Sequence, residues 1–360
     1  MFNPSRLTLA RERRGMTKRE LAIGVGLTPR TISAYENSEN VPNEAIIGNI
    51  ASFLGFPRSF FSEETLEVPS PKSANFRARS SMTRGQRDAV LSAGALAIAF
   101  SEWLETQFQL PASMLPELHG EAPETAAESV RALWGLGERP IKNVIHLLEA
   151  QGVRVFSLVE ECHEVDAFSL WRDATPYVFL NTMKSAERSR FDAAHELGHL
   201  VLHRHGAPEG RVAEQEADAF AAAFLMPRGS VLASALRLPS VDLLVKAKHN
   251  WNVSVAALAH RLHALGLLSE WHYRGLVVEI SRRGYRRCEP NSIPRETSQL
   301  LRKVFQLLRE DGTSTHAIAS ELHLDARELN ALIFGLILTP VPANPISQSS
   351  TPPRGRLSLV

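Results

Sequence analysis

The chain has 360 residues, 44% of them hydrophobic, and a formal net charge of +1, which suits two or three domains with buried cores. It contains no apolar run of 18 residues and no apolar N-terminal leader, so a membrane-spanning or secreted protein is not expected and the expected location is the cytoplasm. Two cysteines, Cys162 and Cys288, make no disulfide framework and read as free thiols.

Resolved by segment, the charge is uneven. Residues 1–35 hold Arg6, Arg11, Arg13, Arg14, Lys18, Arg19 and Arg30 against Glu12 and Glu20. In this basic region Thr17 and Glu20 have capping-box spacing, which predicts a helix through Ile23. Gly24 and Gly26 supply a turn, and Thr28-Pro29 opens the next helix with an N-cap and a first-turn proline. Helix, glycine turn, helix is the helix-turn-helix layout, whose second helix enters the DNA major groove by its N-terminal end. Leu7, Leu21, Ala22, Val25, Ile32, Tyr35, Ile46, Ile50 and Leu54 fit a small core.

The segment resembles XRE/Cro-type DNA-binding domains. The resemblance implies a structural ion pair between Arg11 and Glu36. It also implies that Thr28, Arg30, Thr31 and Ser33 lie where bases or phosphates are read in double-stranded DNA, with Arg30 the bidentate base reader and Lys18 and Arg19 phosphate contacts.

Residues 62–85 carry Pro69, Pro71 and the polar run NFRARSSMTRGQR with no apolar period, and read as a linker. An alanine-rich helix is expected over 86–108, buried rather than membranous because Asp88, Glu102 and Glu105 interrupt it. Helices over 126–134 and 141–151 precede strands at 153–156, 167–171 and 177–180, the last two forming a hairpin. A strand at a sheet edge can align an extended chain by backbone pairing. The segment 177–181 is the candidate edge, with an ordinary core strand as the alternative.

The next stretch, RFDAAHELGHLVLHRH over 190–205, holds His195-Glu-Leu-Gly-His199. Residues four apart on a helix face the same way, so both imidazoles can ligate one zinc ion. Glu196 then stands where its carboxylate can take a proton from a metal-bound water. A second acidic helix, EQEADAFAAAFLMP over 214–227, offers Glu214 as the third ligand and Asp218, four residues on, to hold the other nitrogen of a ligating histidine. Glu216 reads as part of a solvated face.

His205 competes for the third position, since it completes the metzincin spacing apart from Leu202 in place of glycine. A helix that simply continues carries His205 about 15 Å from His195, which favours Glu214 and leaves His203 and His205 as helix-end residues. Together these two helices resemble the ImmA/IrrE family of bacterial cytoplasmic metallo-endopeptidases over roughly residues 130–265. The resemblance implies zinc on His195, His199 and Glu214 with Glu196 as general base, and leaves the carbonyl-polarising residue unassigned.

Beyond Pro227 an amphipathic helical stretch breaks at Trp251-Asn252, and three more helices follow residue 289, suited to packing or to forming a homodimer. Residues 340–360, with five prolines and four serines, are expected to be disordered. The expected architecture is multidomain. An all-α helix-turn-helix domain (1–61) and a linker (62–85) precede an α+β zincin-like metallopeptidase domain (86–268) with a helical C-terminal extension (269–339). Two functions are compatible with it: a zinc endopeptidase acting on a cytoplasmic regulatory protein such as a repressor or antitoxin-like protein, or a regulator whose zincin-like domain senses a ligand or partner and cuts nothing.

Overall fold

The computed structural model describes residues 1–70, 74–78, 83–158, 165–204 and 210–337, with 74–78 described by backbone alone. The expectation for 340–360 therefore falls outside the described residues, as does Cys162. Four helices come first: α1 (Pro4–Arg13), α2 (Lys18–Gly24), α3 (Pro29–Glu36) and α4 (Glu44–Leu54).

Local chemistry sets their ends. The Glu20 amide donates to the Thr17 hydroxyl at 3.2 Å and the Thr17 amide donates to the Glu20 carboxylate at 2.7 Å, a complete capping box. Gly26 turns the chain at φ +69°, a left-handed conformation that a side chain would strain. The Thr28 hydroxyl caps α3 by accepting from the Thr31 amide at 3.1 Å. Leu7, Leu21, Ala22, Ile32, Tyr35, Ile50 and Leu54 are buried together, with Val25 and Ile46 half-buried against them. The pair expected between Arg11 and Glu36 is two-pronged, with Nε–Oε1 at 2.6 Å and Nη2–Oε2 at 3.2 Å.

The second part begins with strand β1 (Ala74–Ala78) and helices α5 (Arg84–Gln107), α6 (Pro123–Leu133) and α7 (Val144–Ala150). Strands β2 (Arg154–Ser157), β3 (Val165–Arg172) and β4 (Thr175–Leu180) complete one four-stranded sheet in the order β1-β3-β4-β2. The β3–β4 hairpin is antiparallel, closing at Arg172↔Thr175 with Asp173 at φ +52°. Asp tolerates that conformation better than most residues.

Two expectations change here. Strand β4 is not the edge: it lies between β3 and its parallel partner β2, and Tyr177 through Leu180 are buried. A continuous apolar run is the mark of a strand covered on both faces. The edge beside β3 is instead taken by β1, which comes from the stretch read as linker and pairs antiparallel from Ala74↔Leu170 onward.

The sheet is sandwiched. On one face Phe168 and Phe179, stacked with centroids 4.3 Å apart, lie against Gly94 of α5. On the other face lies α8 (Ala186–Leu202), which accepts from the Trp171 indole at the Leu200 carbonyl, 3.2 Å away. Helices α9 (Arg211–Leu225), α10 (Arg228–Ala233), α11 (Val241–Ala247), α12 (Val255–Ala264) and α13 (Glu270–Arg282) follow. The break expected at Trp251-Asn252 is present, with Asn252 at φ +56° and Trp251 buried. No helix among the described residues is long and apolar enough to cross a membrane.

Helices α14 (Gln299–Glu310), α15 (Thr315–Glu321) and α16 (Ala326–Ile333) return to touch both parts. The buried Glu328 carboxylate on α16 pairs with Arg13 at 2.9 Å and Arg14 at 2.5 Å, both at the end of α1, while α1 packs along α5. Just beyond α16, the Phe334 carbonyl accepts from the Thr182 hydroxyl at 3.0 Å. The helix-turn-helix is thus seated on the body through α5 and α16, a long-range arrangement that no local pattern announces.

Candidate metal centre and DNA-facing helix

Helix α8 starts where the Ser185 hydroxyl accepts from the Arg188 amide and runs without proline to Leu202. Its period places His195, His199 and His203 on one ridge, at i, i+4 and i+8. Helix α9 packs across that ridge. Gly198 makes the approach close: a Cβ there would stand 3.1 Å from Phe220 Cδ1 and 3.2 Å from Ala217 Cα. Glu214, in the first turn of α9, thereby reaches both imidazoles. Its carboxylate oxygens lie 3.4 Å from His195 Nε2 and 3.3 Å from His199 Nε2, and the two Nε2 atoms are 3.0 Å apart.

His195 and His199 are buried. Burial brings the His199 imidazole down to about 4, so it is neutral at pH 7 and offers a lone pair. Burial alone would raise Glu214, but its contacts with His195 and His199 outweigh it and bring its carboxyl down to about 2. Two buried imidazoles and an ionised carboxylate converge on one point. A divalent cation satisfies all three, and a donor set of two nitrogens and one oxygen, with room for a fourth ligand, is the set zinc takes in hydrolytic sites. The residues fit the ion.

The next contacts fix the rings. His195 Nδ1 lies 2.9 Å from Asp218 Oδ1, which places Asp218 where the four-residue spacing from Glu214 puts it. His199 Nδ1 lies 2.9 Å from His203 Nδ1, and His203 Nε2 lies 2.9 Å from Glu216 Oε2. Sequence reasoning missed this second pair, assigning Glu216 to a solvated face and leaving His203 as a helix-end residue. The i, i+4, i+8 histidine ladder was the visible signal.

Helix α8 ends at Leu202 with His203 as its C-cap, so it does not run on toward His205 as the missing glycine led the sequence reading to expect, and His205 lies outside the described residues. Glu196, adjacent to His195, is fully buried, and its backbone carbonyl faces the Ser169 hydroxyl of β3 at 3.5 Å. Beside Asp218 opens a cleft of about 370 Å³, bordered by Arg188, Phe191, His260, Tyr285 and Arg286.

In the first domain, Arg30 is exposed near the start of α3 and has no ion pair among the described residues, and Arg19 is exposed on α2. The other DNA candidates are partly engaged within the protein. The Thr28 and Thr31 hydroxyls bond each other at 2.8 Å, and Lys18 Nζ reaches Ser33 Oγ at 3.3 Å and Glu36 at 3.1 Å. Lys18 is therefore less available to a phosphate than its sequence position implies.

Comparison with known families places two matches on this geometry. Residues 7–61 match the model described as helix-turn-helix, and residues 148–263 match the peptidase M78 model, described as an IrrE N-terminal-like domain. The second match runs from the end of α7 through α12 and contains both helices of the metal centre. The two matches show the fusion of a helix-turn-helix segment with an IrrE-type segment in one chain. No curated protein matches the chain.

Proposed function

We propose that the chain is a cytoplasmic DNA-binding transcriptional regulator carrying a zinc-dependent endopeptidase, and that its substrate is a regulatory protein such as a repressor or an antitoxin-like protein. The observation that carries the peptidase reading is the convergence of His195 Nε2, His199 Nε2 and the Glu214 carboxylate, with Glu196 next in sequence to the first of them.

A zinc ion held by these three residues supplies Lewis acidity. Glu196, in a dry setting, accepts the proton of the attacking water and returns it to the leaving amine. Asp218 holds the His195 ring by its far nitrogen, so that Nε2 keeps its lone pair on the site. The cleft beside Asp218, with Arg188 and Arg286 on its wall, is the candidate place for an extended chain.

The purified chain is expected to hold about one zinc ion, lost at equal free zinc in His195→Ala, His199→Ala and Glu214→Ala but kept in His205→Ala. Elemental analysis after gel filtration checks this. Retention by Glu214→Ala with loss in His205→Ala would move the third ligand to His205 and refute the assignment.

For DNA, Arg30→Ala in the full chain is expected to lower discrimination between an operator and random duplex by about 1–3 kcal/mol while leaving non-specific binding and its salt slope nearly intact. Equal weakening on all sequences in a titration at two salt concentrations makes Arg30 a phosphate contact instead.

One observation favours the second reading, a regulator that senses rather than cuts. Glu328 clasps Arg13 and Arg14, and α1 lies on α5, so the DNA-binding helices share an interface with the body instead of hanging from it. A ligand that altered the body could then alter DNA binding directly. Regulation of the same genes by wild type and by a hydrolysis-dead chain decides for sensing.

A further inference from the structure

We propose that His203 and Glu216 are positioning residues for the metal centre, forming a one-way hydrogen-bond relay that fixes the tautomer and ring orientation of His199. The inference rests on the zinc reading above and concerns residues that reading does not use.

The argument follows the protons. His199 Nε2 faces His195 and Glu214, so a ligating His199 must keep Nε2 bare and carry its proton on Nδ1. That N–H needs an acceptor in a buried place. The atom 2.9 Å away is His203 Nδ1, which accepts only if His203 carries its own proton on Nε2. His203 Nε2 in turn lies 2.9 Å from Glu216 Oε2, a carboxylate, which accepts. Every donor has an acceptor in this direction and in no other. With the proton of His203 on Nδ1, two N–H groups would face each other or His199 would take its proton on Nε2, where a metal must bind.

A carboxylate on α9 thus sets the state of a ligand on α8 through an intervening imidazole, whereas Asp218 acts on His195 directly. The same two helices carry both arrangements. Two imidazoles of α8 and that of its C-cap, His203, meet Glu214, Glu216 and Asp218 at alternate positions near the start of α9. His203 has 2% of its side chain exposed and Glu216 37%, so the relay is shut from water at the histidine and open at the carboxylate.

The test uses the full chain with zinc as the probe. Glu216→Ala and His203→Phe are each expected to weaken zinc affinity about 10–100-fold in competition with a chromophoric chelator, and Glu216→Gln, whose amide oxygen still accepts from His203, to recover most of it. Because a Phe at 203 can disturb folding, Glu216→Ala, at a part-exposed position, carries the decision. A direct readout accompanies it: nitrogen-15 correlation spectra of the zinc-loaded protein should show His203 protonated on Nε2 in wild type and redistributed between both nitrogens in Glu216→Ala. Unchanged zinc affinity and tautomer in Glu216→Ala, while His195→Ala loses zinc, overturns the relay alone. If His195→Ala also keeps wild-type zinc affinity, the metal reading falls and the relay with it.

Discussion

Replacing Glu196 with glutamine is expected to leave about one zinc ion per chain in place and to lower hydrolysis of a protein substrate by about 10²–10⁴-fold, the range that a positioned acid–base group contributes. The two side chains have nearly the same shape, and the buried Glu196 is not one of the three side chains that converge on the metal point, so the change removes proton acceptance without removing a ligand. Paired measurements are needed: zinc content, and cleavage of DNA-associated regulators followed by intact mass. A Glu196→Gln chain that still cleaves at the wild-type rate would take Glu196 out of the base role. The same variant separates the two functional readings in cells. Loss of control over target genes points to cutting as the output, while normal control, lost only when the helix-turn-helix is disabled, points to sensing.

Much of the metal centre was legible because its geometry is local. Residues four apart on a helix share a face, so His195 with His199 and Glu214 with Asp218 declare themselves from spacing, and the capping box at Thr17 and Glu20 does the same for α2. What stayed hidden depends on partners distant in sequence. The apolar run from Tyr177 to Leu180 shows cover on both faces but not which strands lie beside β4, so its interior place between β3 and β2 could not be read from 177–181. Strand β1 hides in a polar stretch because an edge strand needs backbone partners more than apolar side chains. His203 caps α8 whereas Glu216 lies on α9, and their pairing requires the close approach that Gly198 allows. The clasp of Glu328 on Arg13 and Arg14 spans more than 300 residues of chain, beyond any periodic signal.

Lys248→Ala is expected to destabilise the protein by about 3–5 kcal/mol, the cost of breaking a buried ion pair from one side. Lys248 is fully buried, with Nζ 2.9 Å from Glu187 and 3.3 Å from Glu289. Glu187 opens α8 and also accepts from the Ser292 hydroxyl at 2.8 Å and the Ile293 amide at 3.0 Å, so it ties α8 to the segment ahead of α14. Without the lysine, two carboxylates remain buried near each other with no cation between them.

The pH dependence follows from the sign of one shift. Burial pushes the Glu187 carboxyl up, but the Lys248 ammonium and the surrounding hydrogen bonds outweigh burial and hold it below the usual range. Its contribution to stability is therefore present above the ordinary carboxylate pKa and is lost as pH falls through the depressed value. In Lys248→Ala burial is left in control and Glu187 resists ionisation, so the deficit against wild type should be full only above the variant's raised carboxyl pKa and shrink as pH falls from there toward the depressed wild-type value. Thermal melts at pH 7.5 and pH 4 measure it. A deficit of the same size at both would mean that lost packing of the lysine stem, rather than stranded carboxylates, is the cause, and would sink the electrostatic account.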